Sequence, residues 1–150
     1  LPQLYAQGSP ELTIVSADRV VDPGIPFELT AHDTPHLIVT RGEHSYEVGP
    51  FVIPGATPCY QCSQLARAAS DPFHLAHLRE LENWPLAPLA LLTHFAAAQR
   101  VGQLVVDFVS GTLTESQCAQ VATICEDGSV RVEDVEPARR CVCGINGLAS

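Results

Sequence analysis

A chain of 150 residues with 46% hydrophobic and 17% charged residues can bury a core of its own, and this balance argues against wholesale disorder. Eight Lys and Arg against seventeen Asp and Glu leave a net charge of −9, and the basic residues are scattered. Broad nucleic-acid or anionic-membrane binding is disfavoured, and a basic protein or peptide partner suits the charge better.

The elements follow from pattern in chain order. Glu11 to Ala17 is a short β-rich run that predicts a buried strand. Asp22-Pro23-Gly24 and Pro26 punctuate the next stretch, and a short helix is expected near Phe27 to Ala31. Pro35 to Thr40 reads as a second strand, Arg41 to His44 as a turn, and Ser45 to Ile53 as a third strand. Strand, helix, strand and hairpin in this order describe part of an α/β sheet. Pro54 to Pro58 breaks it, a helix is expected over Cys62 to Ala69, and Ser70 or Asp71 can cap another from Pro72 to Glu82. Pro88 to Val109 is the longest helical candidate, apolar all round, and suits a core or an interface. Overlapping its start, Trp84 to Ala98 is too short for a bilayer and reads as a buried helix. Gly111 ends the long helix. Gln117 to Ile124 and Ser129 to Val135 are expected as strands around the hairpin turn Glu126-Asp127-Gly128. No internal linker or repeat is evident, so residues 1–150 read as a single domain. No charged-then-apolar leader is visible, and the absence of any methionine suggests a fragment or an incompletely recorded N-terminus.

The chemistry concentrates in two close cysteine pairs, Cys59-Tyr60-Gln61-Cys62 and Cys141-Val142-Cys143. Short knuckles of this kind suit a tetrahedral zinc ion, and four thiolates would leave it no open position, so the site would be structural. Disulfide or redox chemistry, or four unconnected thiols, are the competing readings. Cys118 and Cys125 lack such spacing and read as core or edge residues. His74 and His77 share a helical face but have no third ligand. His32, His36 and His44 are equally unsupported, and His94 reads as a core histidine with a hydrogen-bond partner. Asp18, Asp22 and Asp33 are better explained as solvated loop residues than as a magnesium site. Neither G-x-G-x-x-G, G-x-x-x-x-G-K-[ST] nor G-x-S-x-G occurs, so the residues present supply no self-sufficient active site.

The block from Val48 to Cys62, VGPFVIPGATPCYQC, followed by an Ala/Leu-rich helix and a closing Cys141-Val142-Cys143-Gly144, resembles the ThiF-like, ubiquitin-activating-enzyme-like proteins of thiazole/oxazole-modified peptide (bacteriocin) biosynthesis. The likeness covers most of residues 11–144. It implies an α/β fold, a mixed sheet with packed helices like the second half of an adenylating enzyme of the ThiF/MoeB type. It also implies structural zinc on Cys59, Cys62, Cys141 and Cys143, a homodimer, and a cytoplasmic location. In this branch the ThiF-like part acts without catalysis of its own: it binds the precursor peptide and presents it to a YcaO-type cyclodehydratase. The alternative it leaves open is an adenylyltransferase acting on a peptide or sulfur-carrier C-terminus. The N-terminal peptide-binding element and the nucleotide loop of relatives are not found within these residues.

Overall fold

The computed structural model describes residues 12–143, so Glu11 and Gly144, at the ends of the segments singled out above, lie outside the described residues. A five-stranded mixed sheet runs in the order β1-β2-β3-β4-β5. Its strands are β1 (Thr13–Asp18), β2 (His36–Arg41), β3 (Ser45–Val52), β4 (Gln120–Cys125) and β5 (Val130–Asp134). β1 and β2 are parallel, with Val15 opposite Ile38, and the remaining pairs are antiparallel. Parallel neighbours need a crossover, supplied here by α1 (Gly24–Ala31). That helix starts three residues before its expected beginning because the Asp22 carboxylate accepts the Gly24 N–H at 2.9 Å and sets the first turn.

The decisive irregularity lies in β3. Leu37 pairs with Phe51, but Val39 pairs with Val48, so β3 carries one extra residue between these positions. Gly49 sits there with φ +119, and a Cβ on it would fall 2.0 Å from the Gln120 carbonyl oxygen of β4. Only glycine fits so close an approach. The bulge lets Val48 and Phe51 share one face of the sheet while Val52 turns to the other.

Each face then builds its own core. On one, Leu37, Val39, Val48 and Phe51 pack against Ala97, Leu104 and Phe108 of α4 (Leu91–Val109), with Cys118 and Ile124 beside them. On the other, Val15, Val21, Ile38 and Tyr60 form one cluster, and Val52, Cys59, Cys62, Val121 and Val135 form a second. α2 (Tyr60–Ser70) is tied to that face by Arg67, which grips the Glu47 carboxylate at 2.9 and 3.1 Å and reaches Glu133 at 3.7 Å. α3 (His74–Leu81) buries no residue.

Two further elements differ from expectation. The helix foreseen from Pro88 begins at Leu91, and Trp84 to Ala90 form an irregular strap instead of part of a buried helix. Pro85 and Pro88 bias the residues before them towards extended backbone. Arg19 donates to the Trp84 and Pro85 carbonyls at 3.0 and 2.9 Å, and Arg41 donates to that of Ala87. Nor is α4 buried all round: Leu91, Leu92 and Phe95 are exposed. The strand foreseen from Gln117 begins at Gln120, after a single helical turn, α5 (Glu115–Cys118). A capping box imposes that turn: Thr114 Oγ1 accepts the Gln117 N–H while Gln117 Oε1 accepts the Thr114 N–H. Among the described residues, no helix is long and apolar enough to cross a membrane.

Candidate metal centre

The first knuckle is assembled by the turn that leaves β3. Buried Thr57 organises it: its hydroxyl accepts the Ile53 N–H at 2.8 Å and lies 3.2 Å from the Phe51 carbonyl, and its own N–H returns to the Ile53 carbonyl at 3.0 Å. Gly55, at φ +74, gives the turn its left-handed step. The chain then enters α2 with Cys59 as the N-cap residue, whose carbonyl accepts the Cys62 N–H at 3.0 Å. Both sulfurs therefore sit at the positive end of an eleven-residue helix, where thiolate is favoured.

The second knuckle arrives along the segment after β5. The Val135 N–H is held by the Ala119 carbonyl at 2.6 Å, the Ala138 N–H points at Cys62 Sγ at 3.4 Å, and the Cys141 N–H closes a turn on the Ala138 carbonyl at 2.9 Å. Cys141 and Cys143 then face the first pair.

Cys59 Sγ lies 3.8 Å from Cys62 Sγ and 3.4 Å from Cys141 Sγ, and Cys62 Sγ lies 3.7 Å from Cys143 Sγ. All four sulfurs fall within 4.8 Å of one another. These separations are far beyond the ~2.05 Å of a disulfide, and all four are free thiols. They match the edge of a tetrahedron whose corners lie about 2.3 Å from a central zinc, an edge of roughly 3.8 Å. Four soft donors in this arrangement can hold a metal ion.

Protonation inside the cluster points the same way. Cys62 is brought down to about 5, chiefly because the Cys59 S–H donates to it, with the Ala138 N–H helping and burial opposing. Cys59 is driven well above the ordinary thiol range by that same shared proton and by burial. Cys141 is pushed up to about 11, first by burial. Cys62 is readily held as thiolate, while loss of the proton from Cys59 and Cys141 is resisted. A central dication removes the resistance by turning mutual repulsion into shared attraction.

The remaining candidates do not converge. Cys118 is buried among the α4-side residues, its thiol raised to about 11 by burial, and Cys125 ends β4 near Arg131. His74 bonds to Gln64 at 2.9 Å, His77 approaches Asp71 at 3.9 Å, and His94 has the expected hydrogen-bond partner, the Tyr46 hydroxyl at 2.9 Å, but is half-buried at the edge of the core. His36 is fully buried, with Nδ1 on the Thr34 carbonyl, and burial lowers its pKa. Among the described residues, no group of metal-binding side chains other than the four cysteines forms, so Asp18, Asp22 and Asp33 are not gathered. Sequence reasoning missed Gly49, Thr57 and Ala138 as supports of the centre. Thr57 in P-G-x-T-P had a usable signal, a hydroxyl residue in a turn beside glycine. An open apolar cavity of about 790 Å³ flanks the knuckles, with Phe27, Tyr60, Leu65 and Val142 in its wall.

No family model matches the chain, and no curated protein matches it either. Solved structures do. E. coli MccB with AMPCPP and MccA superposes at a TM-score of 0.69 and 17% identity, over 97% of this chain and 43% of that one. The microcin C7 biosynthetic enzyme MccB with N-formylated MccA gives 0.65 and 17%, over 95% and 43%. The heterocyclase TruD gives 0.61 and 19%, over 90% of this chain and 22% of that one. The chain thus spans less than half the length of MccB and about a fifth of TruD. At these identities the likeness is one of fold, and in fold it agrees with the ThiF-like resemblance of the Val48–Cys62 block: the chain has the mixed α/β architecture found in MccB and TruD.

Proposed function

We propose that this chain is a zinc-stapled, non-catalytic scaffold of ribosomal-peptide modification in the cytoplasm. Zinc on Cys59, Cys62, Cys141 and Cys143 fastens the segment after β5 onto the sheet. The protein presents a precursor peptide to a YcaO-type cyclodehydratase, which closes cysteine, serine and threonine side chains onto the backbone as azolines with loss of water. The observation that carries this reading is the meeting of four thiols from segments about eighty residues apart (82 between Cys59 and Cys141), on a fold shared with a microcin biosynthetic enzyme and a heterocyclase. A four-thiolate ion has no free coordination position, which suits stability and not turnover.

A second reading is favoured by one observation: MccB has been solved with ATP and with AMPCPP. On that reading the whole protein adenylates a peptide or sulfur-carrier C-terminus. It requires a nucleotide-cradling glycine loop, which these 150 residues lack.

The test combines the full-length protein, its cyclodehydratase, ATP and the precursor peptide. The scaffold reading expects ATP-dependent water loss by mass spectrometry only when both proteins are present. Peptide-dependent exchange of pyrophosphate into ATP by this protein alone would replace it with the second reading. Water loss at the same rate without the protein would remove the presenting role.

A further inference from the structure

The four clustered thiols are not equally open to solvent. Cys62 is wholly inaccessible and Cys59 keeps 6% of its surface, whereas Cys141 and Cys143 are half-buried. The cavity of about 790 Å³ beside the knuckles has Cys59, Cys141 and Cys143 in its wall, and Cys62 is not among them. A solute as small as hydrogen peroxide therefore reaches three of the sulfurs from one side. Exposure and thiolate character decide which cysteines oxidise. An ion held by all four sulfurs keeps them as thiolates.

Two of the three reachable sulfurs already stand close. Cys141 Sγ lies 3.4 Å from Cys59 Sγ, and this approach crosses from one knuckle to the other. A further closure of roughly 1.3 Å brings the pair to the S–S length of a disulfide. The segment after β5 has no helix or strand to resist that movement. Cys143 lies 3.7 Å from Cys62, which is buried. Cys59 and Cys62, 3.8 Å apart, are both fixed by the first turn of α2. Among the described residues, Cys118 and Cys125 belong to no such group.

We propose that Cys141 is an oxidation site, where hydrogen peroxide joins it to Cys59 and so exchanges a metal fastening for a covalent one. The Cys141 thiolate attacks one peroxide oxygen; the O–O bond breaks, a sulfenic acid forms and hydroxide leaves. The Cys59 thiolate then attacks the sulfenic sulfur, the S–S bond forms and a second hydroxide leaves. Both hydroxides take protons from solvent. One peroxide is thus reduced to two waters while two thiolates are oxidised to one disulfide. Cys62 and Cys143 alone do not complete a four-sulfur set, and the ion is released. The second knuckle stays attached, because the new bond joins the same two segments. Loss of the ion rests on the zinc centre proposed above, the choice of sulfurs rests on geometry alone, and neither depends on peptide presentation.

The test treats the purified protein with one equivalent of hydrogen peroxide beside a chromogenic zinc chelator. About one zinc per chain should be released, and only after peroxide is added. Peptide mapping without reductant should join Cys59 to Cys141 and leave Cys62 and Cys143 open to alkylation. Trypsin should then cut at Arg139 and Arg140 about ten-fold or more slowly than in protein stripped by EDTA, because the cross-link holds what the ion no longer holds. A reducing phosphine should abolish that protection while the chelator is present. A disulfide confined to one knuckle, Cys59–Cys62 or Cys141–Cys143, would overturn the proposal. So would zinc retained after oxidation, or cleavage as fast as in the stripped protein. Protein that carries no zinc and still forms the Cys59–Cys141 bond would remove the ion yet uphold the oxidation site, which tells the two failures apart.

Discussion

The two cysteine knuckles reach the same point by different means. The first is built by backbone: the β3 bulge, the Thr57 turn and the first turn of α2 fix Cys59 and Cys62 before any metal is considered. Both residues are buried, and Cys62 is wholly inaccessible. The second hangs at the end of a segment with no helix or strand of its own, and Cys141 and Cys143 are only half-buried. Among the described residues, it is held by backbone hydrogen bonds of Val135, Ala138 and Cys141, by packing of Ala138, Cys141 and Cys143 against the cluster of Val52, Cys59 and Val121, and by the sulfurs themselves. A preorganised half and a dependent half divide the labour: one fixes geometry, and the other would gain order from a metal ion held by the four sulfurs.

The largest blow to this asymmetry falls on the organised side. Gly49→Ala would force a Cβ to within 2.0 Å of the Gln120 carbonyl at φ +119, a backbone state alanine rarely adopts. Straightening the bulge would send Phe51 and Val52 to the wrong faces, uncoupling the sheet from the turn that carries Cys59. The expected cost is at least about 3 kcal/mol, read from urea unfolding, with loss of both knuckles together. A variant with an unchanged midpoint would show that the bulge does not govern the first knuckle.

Removing the metal should separate the halves. Protein purified without chelator is expected to carry one zinc per chain. EDTA or Cys62→Ser should release it and cost several kcal/mol, because an ion bound by these four cysteines would be linked to folding. The loss should be local: limited proteolysis would cut near Arg139 and Arg140, while amides of β2, β3 and β4 keep their protection from hydrogen exchange. Equal exposure of both knuckles after chelation would abolish the distinction, and purified protein free of metal would remove the ion from the account.

How much of this was legible in the sequence depends on how local each signal is. The cysteine pairs declare themselves because two- and three-residue spacings are properties of a short segment. The strands around Ile14, Leu37 and Val48 and the Glu126-Asp127-Gly128 turn are local too, and the structure has them close to where pattern places them. The extra residue in β3 is invisible because its cause, the Gln120 carbonyl, lies on another strand. The strap before α4 is equally hidden, since Arg19 is 65 residues from the Trp84 carbonyl it holds. The turn of α5 was readable: Thr114-Glu115-Ser116-Gln117 spells a capping box, but the alternating apolar run beyond it drew the strand back over its last residues. The apolar count of α4 signalled burial, and only the packing shows that one side is left for something else.

The smallest effect sharpens the comparison most. Thr57→Val keeps the volume of the side chain but deletes the hydroxyl that accepts the Ile53 N–H and lies over the Phe51 carbonyl. The site is closed, with Thr57 only 3% exposed, so the lost partner is not simply replaced by water, and the expected cost is about 1–3 kcal/mol. If the first knuckle owes its geometry to this turn, zinc affinity should fall in competition with a chromogenic chelator, although no ligand has been touched. The second knuckle should follow, shown by faster cleavage at Arg139 and Arg140. Stability that falls while zinc affinity stays unchanged would mean that the sulfurs position one another through the ion, and that neither knuckle leads.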